Sequence, residues 1–481
     1  MKIKTVFCYY HIMQASAHLP KLKKVLLAVY FLLFTFFGSC TIPIVNREIN
    51  LPKIHLPSWV PFLGGKGETG PITLTYWGLW EQPQNLQSLF DEYQRQNPDV
   101  TIEYEMRDAR DHFSTVRSRL TTELTPDIIR VHNTWVPFLL ESLNPVPKDI
   151  FDATTYEQTF YPVTKDTLLA GGKYYGIPLE IDGLALIYNK DLFTEAGITS
   201  PPQTWDVFRE NVRKLTKKDA QNNVIQAGVA MGYAKNIDHF SDILGLMFAQ
   251  NGVSFVDSDG AVNFHKSLSA DGRNLGAEAL AFYTLFGISE KSWNPTWEDS
   301  TLAFADGKVA MILVPSFRIL DILGKSPKIN LGVAKAPQLP SADPTRQSGI
   351  NWGSFWVEVV PKNSPHPKEA WKFLKFLTEK ESLTEFYKTC SQVRPFGEPY
   401  SRTDLASTLV NDKYTNIFVS QGQSYTSWYF ADATFDKVLN DAIVKILEDM
   451  VEGVVAGKSA EGALAEAAPK VQVVLDGLKG K

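Results

Sequence analysis

The chain has 481 residues, of which 44% are hydrophobic and 21% charged, and this is ordinary globular composition. Such a composition excludes a disordered tail protein, a collagen-like chain and a polytopic membrane protein, and the length predicts two to four compact units. With 48 basic and 53 acidic residues the formal net charge is −5, which argues against non-specific binding of nucleic acid because that binding relies on clustered cations.

The N-terminal segment is predicted to be a targeting signal. Basic residues at 21, 23 and 24 precede the apolar run Val25–Phe37, and Gly38-Ser39-Cys40 follows. A cysteine at this position resembles a bacterial lipoprotein signal, which implies a signal peptide over 1–39, cleavage before Cys40 and a diacylglycerol group on its sulfur. The alternative is an uncleaved anchor, because about 20 residues without charge could span a bilayer. Translation starts at either Met1 or Met13.

The segment 40–71 is predicted to be a tether. It is rich in proline and glycine, a composition that gives a semi-flexible spacer without a core. Both interpretations of the leader place the remainder of the chain outside the cytoplasm, at the bacterial cell membrane. If Cys40 carries lipid and Cys8 is removed, only Cys390 remains as a free thiol, so no intrachain disulfide is expected.

The globular part opens with a strand–helix–strand pattern. Apolar residues alternate over Ile72–Trp77, then recur at helical spacing over Leu86–Tyr93, and alternate again over Val100–Met106. This pattern predicts a parallel sheet covered by helices. Further strands are predicted at Asp127–Val131, Tyr175–Pro178 and Leu184–Tyr188, and a turn at Gly171-Gly172.

Three later segments are predicted to be helical. The first is Pro202–Leu215, where Thr204 is a suitable N-cap. The second is His366–Leu377, and the third begins at Phe435 and continues to about Val455. Gly457 is expected to end that helix and Ser459 to cap the next one.

Five stretches together resemble one known family. They are Ile72–Trp80 (ITLTYWGLW), Pro126–Leu139, Gly171–Phe193, Phe304–Phe317 and Asn351–Glu381. In this order they resemble the extracytoplasmic solute-binding proteins of carbohydrate ABC transporters, the family that includes maltose-binding protein. The likeness runs from about Ile72 to Leu475.

The resemblance implies an α/β fold of the periplasmic-binding-protein type, with two interleaved, discontinuous lobes and a ligand cleft between them. Lobe one would comprise 72–180 plus 352–400, and lobe two 183–350 plus 402–481. It further implies a small carbohydrate as ligand, the transmembrane subunits of an ABC permease as partner, a membrane contact through the lipid anchor, and a monomer. No catalytic residue, cofactor, metal or nucleic acid is expected.

Candidate ligand-binding residues follow from the chemistry of sugars, whose C–H faces stack on flat aromatic rings and whose hydroxyls need donors and acceptors. Strand ends offer this mixture in the first lobe, and the resemblance places further candidates at the cleft. The predicted ligand-binding residues are Trp77, Trp80, Glu81, Asn133, Trp135, Glu180, Asp182, Trp297, Ser316, Trp352, Ser354 and Trp428. His132, Phe317, Arg318, Trp356 and Arg394 are additional candidates.

Two alternative functions stay open at this stage. A secreted glycoside hydrolase would also use paired carboxylates beside tryptophan platforms. A receptor for a non-sugar solute, such as a peptide, polyamine or polyol phosphate, would share the fold. The sequence contains neither an H-E-x-x-H motif nor a G-x-S-x-G elbow, so the zinc-hydrolase and serine-hydrolase classes lack support.

Overall fold

The structure is a computed structural model that describes residues 70–339 and 349–478. The predicted signal peptide, Cys40 and the tether up to Thr69 lie outside the described residues. The segment Gly70–Lys481 forms one compact unit. Within the described ranges, no helix combines the length and the apolar character that a membrane crossing requires.

Short strands and helices alternate along the described chain. The strands are β1 Ile72–Gly78, β2 Val100–Met106, β3 Ile128–His132, β4 Leu169–Ala170, β5 Lys173–Tyr174, β6 Ala185–Asn189, β7 Lys217–Lys218, β8 Val224–Gln226, β9 Met311–Val314, β10 Leu331–Ala334, β11 Asn351–Trp352, β12 Trp356–Val359 and β13 Tyr425–Thr426. The helices are α1 Pro83–Gln96, α2 Ala109–Arg119, α3 Val136–Leu139, α4 Ala153–Thr159, α5 Thr164–Leu168, α6 Lys190–Glu195, α7 Trp205–Leu215, α8 Phe240–Gln250, α9 Leu275–Ile288, α10 Ser300–Ala305, α11 Arg318–Lys325, α12 Pro367–Leu377, α13 Lys380–Ser391, α14 Asn416–Gln421, α15 Asn440–Val455 and α16 Ala460–Leu478.

The first sheet has the strand order β12-β3-β1-β2. Strand β1 runs parallel to both β2 and β3, whereas β12 is antiparallel to β3. Helix α1 buries Leu86, Leu89 and Phe90, so the predicted strand–helix–strand unit is confirmed. Because β1 and β3 are parallel, their carboxyl ends lie at one edge of the sheet, and the residues that follow them are brought together there.

The second sheet has the order β10-β6-β9 and is antiparallel throughout. Its strands are buried on both faces, which explains the continuous apolar run of β9, Met311–Val314. Helices α9, α15 and α16, all in the C-terminal half of the sequence, pack against one another. The two sheets thus define two lobes, each a layered α/β structure.

The chain passes between the sheets along adjacent segments. The N–H of Leu184 donates to the carbonyl of Trp352 at 2.9 Å, and Gly183 pairs with Gly353 in an antiparallel bridge. A Cβ atom on Gly183 would lie 2.3 Å from the carbonyl oxygen of Trp352, so only glycine permits this close approach. The outgoing and returning segments are therefore coupled directly by backbone hydrogen bonds.

One predicted strand is wrong in detail. At Tyr175–Pro178 only Ile177 pairs, through a bridge to Glu358, and regular pairing is confined to the preceding hairpin β4–β5. Proline has no N–H to donate, which limits a ladder at Pro178. The turn of that hairpin is at Gly171-Gly172, as predicted, and both glycines have positive φ.

The start of the third predicted helix is also wrong. The helix begins at Asn440 rather than Phe435, because Phe435 and Lys437 have φ values of 58° and 63°, which a right-handed helix does not contain. The Asp436 carboxylate accepts hydrogen bonds from the N–H groups of Leu439 at 2.9 Å and Asn440 at 3.1 Å. The chain before α15 is therefore a capped turn, although its apolar spacing is helical.

Candidate functional site

A cavity of about 280 Å³ lies between the two lobes. It is lined by Trp80 after β1, His132 at the end of β3, Glu180 on the connecting segment and Ser316 after β9. Strand ends from both sheets therefore meet at one cleft. This is the place where open α/β sheets bind ligands.

Aromatic side chains form one wall of the cleft. The ring of Trp80 lies 6.0 Å from that of Trp356, at an interplanar angle of 73°, and 6.0 Å from that of Phe435. Trp80 remains 39% exposed and Phe435 is similarly exposed, whereas most aromatic residues in the described ranges are buried. This wall offers flat apolar surface that is not used by the fold.

The backbone around the cleft is strained. Eight non-glycine residues of the described chain have positive φ, and four of them line the cavity: Trp80, His239, Ala433 and Phe435. Such conformations cost about 1–3 kcal/mol each and concentrate where a ligand must be held. The strain therefore agrees with a functional role for this cavity.

Two carboxylates lie on the floor of the cleft. Glu180 Oε1 accepts a hydrogen bond from the N–H of Trp356 at 3.0 Å. Asp182 accepts hydrogen bonds from the N–H and the hydroxyl of Ser316, at 3.1 and 2.8 Å, and from the N–H of Gly183. Burial raises the pKa of Glu180 well above its usual range, and raises the pKa of Asp182 to about 6 although the hydrogen bonds from Ser316 oppose this shift.

A cluster of buried ions lies beneath the aromatic wall. Arg130 donates from Nη1 to Glu81 at 2.7 Å and from Nε to Glu358 at 2.6 Å. Arg394 donates from Nη1 to Glu81 at 3.2 Å and also to Glu398. Burial raises the pKa of Glu398 to about 7, against the opposing effect of Arg394. The cluster joins β3 and β12 to the segments that follow β1 and α13, and each guanidinium pairs with two glutamates.

Acidic side chains outnumber basic ones in the lining of the cleft. Seven carboxylates and two guanidiniums line it, and no lysine does so among the described residues. Carboxylate oxygens accept hydrogen bonds from hydroxyl and ammonium groups, and they repel anions. The cavity is thus built for a ligand that donates hydrogen bonds.

One group in the second lobe has the composition of a cation site. Donor atoms of His239, Asp242 and Asp432 lie within 4.8 Å of one another. However, Arg318 Nε donates to His239 Nε2 at 3.0 Å, which places the proton of the ring on Nδ1, 3.0 Å from Asp242. Trp352 Nε1 donates to the other oxygen of Asp242 at 2.9 Å. The hydrogen-bonding atoms of His239 and Asp242 therefore already have partners within the protein. The positive charge of the neighbouring Arg318 also disfavours a metal ion.

The structure brings seven of the twelve predicted ligand-binding residues together in the cleft. They are Trp80, Glu81, Glu180, Asp182, Ser316, Trp352 and Ser354. Of the additional candidates, His132, Phe317, Trp356 and Arg394 also line it. The other five predicted residues, Trp77, Asn133, Trp135, Trp297 and Trp428, do not line the cavity.

Two of these five are fully buried. Trp135 donates from Nε1 to Asp436 at 3.0 Å, and Asn133 donates to the hydroxyl of Ser427 at 3.0 Å. Both side chains hold the segment before α15 against the end of β3. These hydrogen bonds stabilise the fold, and neither side chain lines the cavity.

The remaining three are partly buried tryptophans. The guanidinium of Arg107 lies 4.4 Å from the ring of Trp77, a cation–π contact outside the cleft. Trp297 packs edge-on against another tryptophan, and Trp428 stacks on Phe255 with a centroid distance of 4.9 Å. These three rings were predicted to face the cleft from their positions at a strand end or in a loop, and such a position does not determine which way a ring faces.

Sequence reasoning missed other residues of the cleft. Arg130 lies inside the apolar strand β3, and a charge in such a strand signals a buried partner. Glu398 and Asp432 lie in loops without a recognisable motif, and Phe435 was assigned to a helix.

The fold and the site define a class: a two-lobed α/β protein that binds a small solute between its lobes. The chain belongs to the family of bacterial extracellular solute-binding proteins, whose profile matches residues 77–383.

Relatives of this family are similar to this chain over half of its length or more. The multiple sugar-binding protein of Streptococcus mutans is 23% identical over 427 residues, covering 84% of this chain and 94% of its own. The sn-glycerol-3-phosphate-binding periplasmic protein UgpB of Yersinia enterocolitica is 28% identical over 280 residues, 55% of this chain and 60% of its own. The structure of the sugar-binding protein MalE from Xanthomonas citri superposes with a TM-score of 0.68 at 20% identity, covering 84% and 98% of the two chains, which shows the common fold.

Proposed function

We propose that the protein is an extracytoplasmic receptor that binds a sugar or oligosaccharide in the cleft and delivers it to an ABC importer. The observation that carries this proposal is the pairing of an aromatic wall, the exposed Trp80 and the half-buried Trp356, with a floor of carboxylates, Glu180 and Asp182. A sugar has both complementary surfaces, because its C–H faces stack on rings and its hydroxyls donate to carboxylates. Relatives named for sugar binding support the same ligand class.

The ligand contacts that we propose are the seven predicted residues that line the cleft, together with Trp356, Phe435 and Glu398. The lobe boundaries at 72–180 plus 352–400 and 183–350 plus 402–481 are part of the proposal. Ligand would bind the closed arrangement of these lobes more tightly than the open one, and this difference in affinity drives closure.

A thermal-shift screen over sugars, amino acids, polyamines and glycerol phosphate tests the ligand class. A ligand present at 100 times its dissociation constant stabilises the native state by about 2.7 kcal/mol. We expect a shift with at least one carbohydrate. A shift with another class, and none with any carbohydrate, would contradict the proposal.

A polyol phosphate is the alternative that the relative UgpB suggests. The cleft argues against it, because seven carboxylates line the cavity and both guanidiniums already pair with glutamates. A phosphate would meet mostly acidic side chains there, and no lysine lines the cavity among the described residues. Binding of glycerol phosphate in preference to neutral sugars would favour this alternative.

Hydrolysis is the other alternative, and we propose that none occurs. Asp182 accepts hydrogen bonds from Ser316 and Gly183 through both of its oxygens, so it is poorly placed to act as a nucleophile or base. Incubation with oligosaccharides followed by chromatography tests this point. Product that disappears in Glu180→Gln would identify a glycoside hydrolase instead.

We further propose that the protein is a monomer held at the membrane by a lipid on Cys40, with 40–71 as its tether. The support is the sequence of the leader, where a basic segment and an apolar run precede Gly38-Ser39-Cys40. Globomycin, which blocks lipoprotein signal cleavage, should cause the precursor to accumulate. An unaltered mature form in Cys40→Ala would contradict the anchor.

A further inference from the structure

We infer that the preferred solute is a sugar that carries a protonated amine, and that Glu180 and Glu398 receive its ammonium group. This inference rests on the proposed function and narrows its ligand class. It starts from the excess of acidic over basic side chains in the cleft, where seven carboxyl groups face two guanidiniums.

The guanidiniums do not neutralise these carboxylates. Arg130 pairs with Glu81 and Glu358, and Arg394 pairs with Glu81 and Glu398. The cluster therefore already holds more carboxylates than guanidiniums before Glu180 is added. A buried carboxylate without a counter-ion is costly, so burial favours the protonated form of Glu180, and a cationic ligand would favour its ionised form.

Within the described part of the chain, Glu180 and Glu398 each keep one carboxylate oxygen without a hydrogen-bond donor. Glu180 uses Oε1 for the N–H of Trp356, and Glu398 uses Oε1 for Arg394. Among the described residues, no donor reaches Oε2 of either side chain, although both residues are only 6% exposed and both line the cavity. The N–H of Ile181 donates to the carbonyl of Pro399 at 2.8 Å and Glu180 pairs with Tyr400 in an antiparallel bridge, so the two glutamates lie on paired, adjacent segments. An ammonium group between them would donate to both free oxygens.

The aromatic wall would also attract the ammonium group of the ligand. Trp80 and Trp356 meet at 73°, and Phe435 lies beside Trp80. Rings that meet at an angle beside carboxylates form a recognition site for ammonium groups through cation–π attraction. A hydroxyl in the same position gains hydrogen bonds but neither the charge neutralisation nor the cation–π attraction.

Calorimetric titration of the full-length protein with matched ligand pairs tests the inference. Glucosamine, galactosamine, mannosamine and β-1,4-linked diglucosamine are each compared with glucose, galactose, mannose and cellobiose, which carry a hydroxyl instead of the amine. We expect at least one amino sugar to bind about tenfold more tightly than its hydroxyl counterpart. Glu180→Gln, which keeps the acceptor for the Trp356 N–H, should abolish this preference, and so should Glu398→Gln. Glu103→Gln is the matched control, because Glu103 is exposed on β2 and does not line the cleft.

The outcomes separate this inference from the proposed function. Neutral sugars that bind as tightly as their amino counterparts, or more tightly, overturn the inference and leave sugar binding intact. An amino-sugar preference that survives in both Glu180→Gln and Glu398→Gln overturns the assigned site. Putrescine bound more tightly than any amino sugar overturns the inference, because the cation alone is then recognised. Failure of every sugar of both kinds overturns the inference and the proposed function together.

Discussion

Replacement of Trp80 by alanine should weaken ligand binding strongly. A tryptophan side chain presents on the order of 250 Å², and 39% of Trp80 is exposed at the mouth of the cleft. Covering that surface, about 100 Å² at about 25 cal/mol per Å², contributes about 2.5 kcal/mol. Full loss of this contribution weakens binding roughly 60-fold, and loss of half of it roughly eightfold.

The assay is calorimetric titration with the sugar that gives the largest thermal shift. Trp77→Ala is the matched control, because Trp77 lies near the end of β1, the strand that Trp80 follows, but contacts Arg107 outside the cleft. Its affinity should stay within about twofold of the wild type. Unchanged affinity in Trp80→Ala, or an equal loss in Trp77→Ala, would refute the assignment of the aromatic wall. The melting temperature of each variant shows whether a loss arises from unfolding.

Three further predictions concern stability. Arg130→Met leaves the buried Glu358 without its cation and Glu81 with Arg394 alone, and should lower the free energy of unfolding by about 3–5 kcal/mol in urea denaturation; a loss below about 1 kcal/mol would contradict the account. Gly183→Ala forces a Cβ atom onto the carbonyl of Trp352 and should cost about 1–3 kcal/mol by the same assay, and wild-type stability would show that the crossing segments tolerate separation. Burial lowers the pKa of His112 to about 4. Below pH 6.5 the unfolded chain therefore binds a proton at His112, whereas the folded chain binds it only near pH 4. Stability should therefore fall by up to about 3 kcal/mol between pH 6.5 and 4 through this group. His112→Gln should weaken that dependence, and an unchanged dependence would contradict the burial argument.

The first lobe was predictable because its signals are local. Alternation over Ile72–Trp77 and helical spacing over Leu86–Tyr93 each depend on neighbours within one element. Glu180 and Asp182 line the cleft, and two carboxylates in an otherwise apolar run signal such a special environment, while their contact with a ligand stays a prediction.

The remainder of the site depends on contacts that are distant in sequence. Arg130 forms an ion pair with Glu358, 228 positions further along the chain. The buried Trp135 donates a hydrogen bond to Asp436, 301 positions away. No local pattern distinguishes such a tryptophan from one that faces a cleft. The backbone at Phe435 was missed for a related reason, because its apolar spacing is helical while the Asp436 carboxylate caps a turn there.

The most direct test of the central claim is an experimental structure of the protein with a bound sugar. The account predicts a sugar ring between the lobes, in van der Waals contact with Trp80 or Trp356 and with a hydrogen-bonding group directed to Glu180. A sugar found outside this cleft, or a cleft that excludes the sugar at concentrations where calorimetry shows binding, would contradict it.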